Sequence, residues 1–210
     1  MFSSCDTVLF IPTQRELKKI FPEAEIKTYQ GFEWALVNNI PAIVTGIGKT
    51  NSAITACRFY SRYAPKTSVL TGICGAYRIS DLNIGDTVTV IKDYFVDEAS
   101  FDGNNLQSME EKGMPLSDKD YIEFLPIKGF KKVLSNTVSL IPSCNRLSEI
   151  YQKKTNAYVE NMEGASFGLA ALSFGIKAYQ LRAVSNFCGE NPSWNIKKAI
   201  GNLREALFSL

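Results

Sequence analysis

The sequence predicts an α/β fold in a single domain over residues 1–210, because strand-like and helix-like segments alternate along it with no linker between them. The 210 residues are 45% hydrophobic and 21% charged. That mix is typical of a globular domain with a full core and argues against long disorder. Repeated strand–helix units of this kind favour a doubly wound sheet.

In the first half of the chain, short apolar runs predict strands at residues 7–11, 34–37, 42–45 and 68–70. The turn-like segment Asn38–Pro41 predicts a hairpin between the second and third of these strands. Apolar residues at helical spacing predict one helical stretch after Pro12 and another from about Thr50 to Tyr63.

In the second half, β-branched and apolar runs predict strands at residues 87–91, 133–141 and 177–184. Helices are predicted from Met162 to about Phe174 and from Ile196 to Phe208. Residues 97–120 are polar and rich in Asp, Glu and Gly, so we expect a mobile or partner-contacting insertion there rather than core.

The composition excludes several kinds of chemistry. The chain contains no histidine, which rules out Ser-His-Asp and Cys-His catalysis and the HExxH zinc site. Its five cysteines are scattered, so we expect free thiols in a reducing cytoplasm rather than a zinc site or disulfides. A net charge of +2 lacks the strong excess of basic residues that is typical of proteins that bind nucleic acid or an anionic membrane. The segment Met1–Asp6 lacks the features of a signal peptide, and we expect neither a metal nor an organic cofactor.

Candidate site residues follow from the fold class, because such sheets bind ligands at the carboxyl ends of their strands. Five segments lie there, at residues 12–16, 45–49, 71–75, 160–163 and 182–186. Glu16 is either a general base or a first-turn acid favoured by the helix dipole. Gly46–Lys49 lacks the full GxGxxG and GxxxxGK[ST] patterns, so it is a weak phosphate signal or a tight turn.

Two further segments combine small and polar residues. Gly72 and Gly75 permit close approach of the backbone to a flat ligand, or form a plain turn. Glu160 and Glu163 flank Met162 where a strand becomes a helix. A carboxylate there accepts hydrogen bonds from the vicinal diol of a ribose, or both acids are ordinary residues of a helix N-terminus.

The last segment ends a strand with a cation, a hydroxyl and a carboxamide, Arg182, Ser185 and Asn186. Asn186 can both donate and accept, so it reads a purine edge or forms an Asx turn or a helix cap. The loop at 189–194 is a possible lid, although Trp194 alone is better explained as a core anchor.

Taken together and in this order, five segments resemble the nucleoside phosphorylase and nucleosidase superfamily, over most of the chain. They are Glu16, Gly46–Ala53, Thr71–Gly75, Asn161–Ala165 and Arg182–Asn186. The resemblance implies a single-domain, three-layer α/β/α fold with a central mixed sheet. It also implies a homo-oligomer that cleaves the N-glycosidic bond of a small-molecule nucleoside.

Within this superfamily, the futalosine hydrolase family is similar through Val159–Gly164, Ser185–Asn186 and Gly189–Ala199. That likeness implies that water cleaves futalosine into hypoxanthine and dehypoxanthinyl futalosine, for menaquinone biosynthesis. The 5′-methylthioadenosine/S-adenosylhomocysteine nucleosidases carry Asp at the position of Asn186. Their activity, purine nucleoside phosphorolysis and a catalytically silent nucleoside-binding protein are the alternatives.

The resemblance also implies roles for single residues. Glu16 would take a proton from the attacking water, Arg182 would position that water, and Asn186 would stabilise the departing base. The implied substrate-binding residues are Gly72, Ile73, Cys74, Gly75, Asn161, Met162, Glu163 and Ser185. Phe95, Phe101 or other residues of 97–120 are the candidates for the pocket of the bulky 5′ substituent, in their own chain or in that of a neighbouring subunit.

The chemistry of Asn186 favours hypoxanthine over adenine as the released base. An asparagine has no ionisable proton to give to N7, whereas its amide can donate to a 6-oxo group. Hydrolysis is favoured over phosphorolysis, because Lys49 is the only cation within residues 45–75 close to either glycine-containing segment. Ile73 stands where the methylthioadenosine enzymes carry Ser, which is expected to reshape the water site.

Overall fold

The computed structural model describes residues 2, 5–115, 119–189 and 194–209. They form a three-layer α/β/α fold, with a mixed sheet between two layers of helices. The predicted fold class is confirmed. The helices of the described residues are α1 (Gln14–Ile20), α2 (Lys49–Tyr63), α3 (Asn145–Thr155), α4 (Gly164–Ser173) and α5 (Ile196–Phe208).

The strands follow the chain as β1 (Thr7–Ile11), β2 (Lys27–Tyr29), β3 (Phe32–Val37), β4 (Ile40–Val44), β5 (Thr67–Ala76), β6 (Thr87–Tyr94), β7 (Ala99–Phe101), β8 (Leu106–Ser108), β9 (Tyr121–Glu123), β10 (Lys131–Thr137), β11 (Val159–Asn161) and β12 (Lys177–Phe187). The sheet order is β11-β10-β6-β12-β5-β1-β4-β3-β2, with β9 beside β6. Strand β11 also pairs with β5, which turns one end of the sheet back on itself. Antiparallel pairing of β12 with β6 and of β11 with β5 makes the sheet mixed.

Each face of the sheet has its own core. Along β1, Phe10 belongs to one hydrophobic cluster, and Leu9 and Ile11 belong to another. Alternate residues of a strand point to opposite faces, so the two clusters lie on opposite sides of the sheet. Helix α4, which packs against α2, contributes Phe167 to the first cluster, whereas α5, which packs against α1, contributes Leu203 to the second.

Several predicted elements have the observed bounds. The strand at 7–11 and the helix at 196–208 match β1 and α5 residue for residue. The predicted hairpin is β3–β4, and its turn residues Asn38 and Asn39 have φ of 49° and 62°. Asparagine tolerates this left-handed conformation better than most residues, which explains the turn at this place.

Two strands, predicted at 68–70 and 177–184, extend further than predicted. Strand β5 runs through Ala76, so Thr71–Gly75 is strand and not a turn. Strand β12 continues past Val184 to Phe187, with a register shift between Val184 and Asn186. The two strands pair with each other over this whole length, and that long-range pairing overrides the weak strand propensity of glycine.

Other differences concern bounds and short elements. The predicted strand at 133–141 ends at Thr137, and the helix predicted from Met162 begins at Gly164. Helix α3 and strands β2 and β9 are not predicted by the sequence. In α3 only Ser148 and Tyr151 are buried, so its apolar periodicity is weak. Residues 97–120 contain the hairpin β7–β8, which lies outside the central sheet and contacts α3.

Candidate active site

A cavity of about 330 Å³ opens at the carboxyl ends of β1, β5, β11 and β12. All the predicted site residues except Gly72 line it. They are Glu16, Ile73, Cys74, Gly75, Asn161, Met162, Glu163, Arg182, Ser185 and Asn186. The rule that ligands bind at the carboxyl ends of such strands therefore selects one continuous cavity from segments far apart in the sequence.

Glu16 is oriented by two neighbours. Thr13 caps α1, since its Oγ1 accepts a hydrogen bond from the amide of Glu16 at 3.0 Å and donates to Glu16 Oε2 at 2.7 Å. The amide of Ile73 donates to Glu16 Oε1 at 3.2 Å. Burial raises the pKa of Glu16 above its ordinary value, and these hydrogen bonds offset part of the rise. A buried, oriented carboxylate with a raised pKa is suited to accept a proton.

Glu163 and Arg182 form an ion pair inside the site. Arg182 Nη1 lies 3.3 Å from Glu163 Oε2, and the amide of Gly48 donates to Glu163 Oε1 at 3.1 Å. Glu163 is the N-cap residue of α4. The Gly46–Lys49 segment thus forms a tight turn whose backbone binds a carboxylate of the protein itself.

A buried hydrogen-bond network that the sequence analysis missed lies behind this ion pair. Asn161 Oδ1 accepts from Arg182 Nη2 at 3.0 Å, and Asn161 Nδ2 donates to Asp93 Oδ2 at 2.8 Å. Asp93 also accepts hydrogen bonds of 2.8 Å from Gln180 and Thr137. Burial raises the pKa of Asp93, and the hydrogen bonds from these side chains offset part of the rise. The network holds the Arg182 side chain in place. The only sign of the network in the sequence is an acid, Asp93, close to a strand of β-branched residues.

The carboxamide of Asn186 is oriented by its own strand. Ser185 Oγ donates to Asn186 Oδ1 at 2.8 Å, and Asn186 Nδ2 donates to the carbonyl of Phe187 at 3.2 Å. A carboxamide has two N–H donors and two acceptor lone pairs. One donor and one lone pair therefore remain for a ligand in the cavity.

Gly72 lies behind the cavity and separates two charged groups. A Cβ there would lie 3.0 Å from Arg182 Nη1 and 3.1 Å from Glu16 Oε1. The absence of a side chain lets both groups approach the same point of β5. Two residues further along β5, burial raises the pKa of the Cys74 thiol to about 12. Cys74 therefore presents an uncharged thiol to the cavity.

Two cations and six apolar residues also line the cavity. Arg15 and Lys19 follow the same face of α1 at a spacing of four residues, and both side chains line the cavity. Their spacing beside Glu16 is the signal by which sequence reasoning could have found them. The six apolar residues are Ile47, Val138, Ile141, Trp194, Ile196 and Ile200.

One expectation about these residues is wrong. Trp194 lines the cavity and is 47% exposed, so it is no core anchor. The rest of the predicted lid, residues 190–193, lies outside the described residues. Phe95 is buried in a hydrophobic cluster and Phe101 lies in β7, and neither lines the cavity of its own chain. Their contribution to the site of a neighbouring subunit stays a prediction.

Lys49 does not line the cavity either. Its ammonium pairs with Asp97 and with Glu98, the latter at 3.0 Å. In the ranges that the structure describes, no group of His, Cys, Asp and Glu side chains is arranged to hold a metal ion. No helix within these ranges is both long and apolar enough to cross a membrane.

Two kinds of enzyme are similar to the chain in sequence. It is 26% identical over 216 residues to a futalosine hydrolase of Thermus thermophilus, covering 97% of this chain and 94% of the relative. It is also 26% identical over 193 residues to a 5′-methylthioadenosine/S-adenosylhomocysteine nucleosidase of Bacillus cytotoxicus, covering 84% of this chain and 82% of the relative. No family model matches the chain.

Solved structures of the same two kinds share the fold. The native futalosine hydrolase of Helicobacter pylori has a TM-score of 0.78 at 18% identity, covering 98% of this chain and 96% of that chain. A mutant of the H. pylori nucleosidase, with 5′-methylthioadenosine in its active site, has a TM-score of 0.81 at 17% identity, covering 98% and 97%. The chain is thus a homologue of the futalosine hydrolases and the methylthioadenosine/S-adenosylhomocysteine nucleosidases, and it has the fold of the nucleoside phosphorylase and nucleosidase superfamily.

Proposed function

We propose that this protein hydrolyses the N-glycosidic bond of futalosine and releases hypoxanthine and dehypoxanthinyl futalosine, a step of menaquinone biosynthesis. The observation that carries the proposal is the oriented carboxamide of Asn186 in the cavity. Similarity to the futalosine hydrolase of T. thermophilus supports the same reaction. Because the methylthioadenosine nucleosidases match at equal identity, the purine base and the 5′ substituent are the groups that distinguish the two substrates.

Glu16 is the proposed general base. Its raised pKa makes it a better proton acceptor than an ordinary glutamate once it is ionised. Arg182 Nη1 and Glu16 Oε1 approach the same point above Gly72, which supports a role for Arg182 in positioning the water that Glu16 deprotonates. General base catalysis of this kind contributes roughly 10²–10⁴-fold in rate.

Glu163 is the proposed ribose-binding residue, with Met162 beneath the sugar. Each oxygen of Glu163 accepts one hydrogen bond from the protein, which leaves lone pairs for the 2′- and 3′-hydroxyls. The glycosidic bond breaks through an oxocarbenium-like transition state, and a carboxylate held close to the sugar stabilises its positive charge.

Asn186 is the proposed contact to the base. Its remaining N–H can donate to O6 of hypoxanthine, and its remaining lone pair can accept from N7–H of the departing base. Adenine would place an amino group, a second donor, against the same N–H. Ser185 supports this preference because its hydroxyl occupies the other lone pair and so fixes the orientation of the carboxamide.

The lining residues support a 5′ substituent that is both aromatic and anionic. Apolar lining residues such as Ile141 and Trp194 suit a flat ring, and the cations Arg15 and Lys19 suit a carboxylate. Futalosine carries an aromatic carboxylate in this position, whereas the methylthio group of methylthioadenosine is small and neutral. These apolar residues and cations therefore favour futalosine over methylthioadenosine.

Water is the proposed nucleophile instead of phosphate. Phosphorolysis requires cations that are free to bind an oxyanion next to the ribose. Lys49 is neutralised by Asp97 and Glu98 outside the cavity, and Arg182 pairs with Glu163. A phosphate would have to compete with protein carboxylates for both cations.

A chromatographic assay of the purified protein tests the proposal. Futalosine, inosine, methylthioadenosine and S-adenosylhomocysteine are offered separately, each with and without phosphate. We expect hypoxanthine from futalosine at a rate independent of phosphate, and Glu16→Gln abolishes its release. Glu98→Gln, an acid-to-amide change outside the cavity, is the matched control.

The other outcomes have definite meanings. Adenine from methylthioadenosine, without cleavage of futalosine, would make the protein a nucleosidase of the sulfur-adenosyl type. Phosphate-dependent release would make it a phosphorylase. Binding of futalosine without release of any base by the wild type would make it a silent nucleoside-binding protein.

A further inference from the structure

Glu160 is a buried carboxylate to which the mechanism above gives no role. It lies in β11, is 4% exposed and lines the cavity. Hydrogen bonds link its carboxylate to Tyr77 and Cys188. Its Oε2, however, has no hydrogen-bond partner among the described residues. A buried carboxylate oxygen without a partner is costly, and a donor on a ligand in the cavity would remove that cost.

The sheet register sets Glu160 and Asn186 on either side of Gly75. Glu160 pairs with Gly75 between β11 and β5, and Asn186 pairs with the same glycine between β12 and β5. Paired residues of neighbouring strands extend their side chains from the same face of a sheet. A Cβ at Gly75 would lie 2.8 Å from Cys188 Sγ, 3.3 Å from Asn186 Nδ2 and 3.4 Å from Glu160 Cγ. The absence of a side chain at Gly75 thus lets these three residues approach the same point of β5, and of the three, Asn186 and Glu160 line the cavity.

The two kinds of purine present opposite hydrogen-bonding groups to such a pair of side chains. A 6-oxopurine carries an acceptor, its C6 carbonyl, next to a donor, the ring N1–H. Adenine carries a donor, its 6-amino group, next to an acceptor, the lone pair of N1. An ionised carboxylate can only accept hydrogen bonds, so it matches N1–H and repels the N1 lone pair of adenine.

We propose that Glu160 is a specificity-determining residue that accepts a hydrogen bond from N1–H of the 6-oxopurine base, while Asn186 contacts O6 and N7. This inference rests on the proposed function and extends base recognition from one residue to two. The base would then be held at three adjacent atoms by side chains from two strands that share Gly75. Substrates that leave a buried polar group without its partner are rejected most strongly.

The surroundings of Glu160 support this role. Asn136 Nδ2 donates to the hydroxyl of Tyr77 at 2.9 Å, so the tyrosine is fixed while it donates to Glu160. Burial raises the pKa of Glu160 to about 7. A hydrogen bond from a ligand N–H favours the ionised form of a carboxylate, so a bound 6-oxopurine would keep Glu160 as the acceptor at neutral pH.

The test compares futalosine with its N1-methyl derivative, which lacks only the N1–H donor. The kcat/KM of each substrate is measured for the wild type, for Glu160→Gln and for the control Glu98→Gln. We expect the wild type and the control to prefer futalosine by on the order of 10- to 100-fold, the loss typical of one hydrogen bond to a charged group. In E160Q, the preference narrows to a few-fold, and kcat/KM for futalosine falls.

The outcomes separate this inference from the proposed function. Equal cleavage of both substrates by the wild type would overturn the role of Glu160 and leave the proposed function standing. An unchanged preference in E160Q would also overturn it, because the methyl group would then act through its size alone. If no enzyme form cleaved futalosine, the proposed function itself would fail. Should E160Q not fold, the same ratio in Glu160→Asp replaces it, and a smaller preference is again expected.

Discussion

Arg182 Nη1 lies 3.3 Å from Glu163 Oε2, in an ion pair whose side chains are only 1% and 5% exposed. Burying two charges is favourable only when their other polar atoms also find partners. Asn161 accepts from Nη2, and Gly48 donates to the second carboxylate oxygen. Arg182 Nε, however, has no hydrogen-bond partner among the described residues. The arrangement fixes a carboxylate next to the cavity at some cost in stability, as is expected of a functional site.

Replacement of Arg182 by lysine tests this arrangement. The ammonium keeps the positive charge but cannot reach Glu163 and Asn161 together as the guanidinium does. We expect Arg182→Lys to fold and to lower kcat/KM for futalosine on the order of 100-fold, because Glu163 loses its fixed position. Arg182→Met leaves Glu163 buried and unpaired, so urea unfolding should show a loss of about 3–5 kcal/mol. If R182K kept the kcat/KM of the wild type, the simultaneous contact of the guanidinium with Glu163 and Asn161 would have no role in the reaction.

The pH dependence of the reaction tests the role of Glu16. As a general base Glu16 must be ionised, so its raised pKa places the acid limb of kcat/KM above the ordinary glutamate range. The hydroxyl of Thr13 donates to the carboxylate and lowers that pKa. Thr13→Val removes this donor, so the acid limb should move to higher pH.

Thr13→Ser is the matched control, because it keeps both the hydroxyl and the helix cap, and its acid limb should coincide with that of the wild type. The valine variant also loses the cap of α1, at a cost of about 1 kcal/mol in the free energy of unfolding. If the acid limb of the kcat/KM profile did not move in Thr13→Val, a group other than Glu16 would be responsible for that limb.

The sequence predicts local features of this protein better than long-range ones. The strand Thr7–Ile11 and the amphipathic helix Ile196–Phe208 depend on nearby residues, and both have the predicted bounds. Helix α3 was missed because it packs on β10 and β8, remote segments whose positions a local pattern does not reveal.

The same distinction holds for the site. The segments around Glu163 and Asn186, which the sequence identified through the order of five individually weak motifs, converge on the cavity. Asp93 was missed because its importance comes from Asn161, Thr137 and Gln180, which lie on three other strands. Arg15 and Lys19 were missed although they flank Glu16 at a spacing of four residues, because that spacing alone does not show that their face of the helix borders the cavity.

Gly164 should tolerate no side chain. A Cβ there would overlap Asp93 Oδ2 and both terminal atoms of Gln180, so it would force the buried network behind Arg182 apart. Overpacking costs about 1–3 kcal/mol, and disrupted hydrogen bonds of a buried carboxylate add to that cost. We expect Gly164→Ala to lower the urea midpoint strongly. Gly201 in α5 is the control, since a Cβ there meets no atom within 4 Å; Gly201→Ala should raise stability by about 0.5–1 kcal/mol.

Replacement of Asn186 by aspartate tests the proposed hydrogen bonds between this residue and N7–H and O6 of the base. An aspartate can accept from a 6-amino group and, when protonated, can donate to N7, but the ionised form repels O6. We expect Asn186→Asp to lower kcat/KM for futalosine by at least about 100-fold and to allow release of adenine from the 6-amino analogue of futalosine. The ratio of the two kcat/KM values is the measurement. An unchanged ratio would contradict the proposed contact, and a control variant at the cavity rim, Lys19→Gln, should leave that ratio unchanged.

Glu160 should make the stability of the protein fall as pH rises. Burial, together with the charge of Asp97, raises its pKa in the folded protein to about 7, although hydrogen bonds from Tyr77 and Cys188 oppose the rise. In the unfolded chain its pKa is about 4.5. The folded state therefore holds this proton more tightly, so the stabilising effect of Glu160 is complete below pH 4.5 and is lost as the pH rises through 7.

Glu160→Gln cannot lose that proton, so the comparison with the wild type isolates this one group from other buried acids such as Glu16 and Asp93. The variant should gain stability over the wild type by roughly 3 kcal/mol between pH 4.5 and pH 8. Urea unfolding across this range measures the difference. If the free energies of unfolding of the two proteins changed in parallel with pH, Glu160 would be ionised throughout and would have all its hydrogen-bond partners within the protein. There would then be no reason to expect a ligand donor at its Oε2.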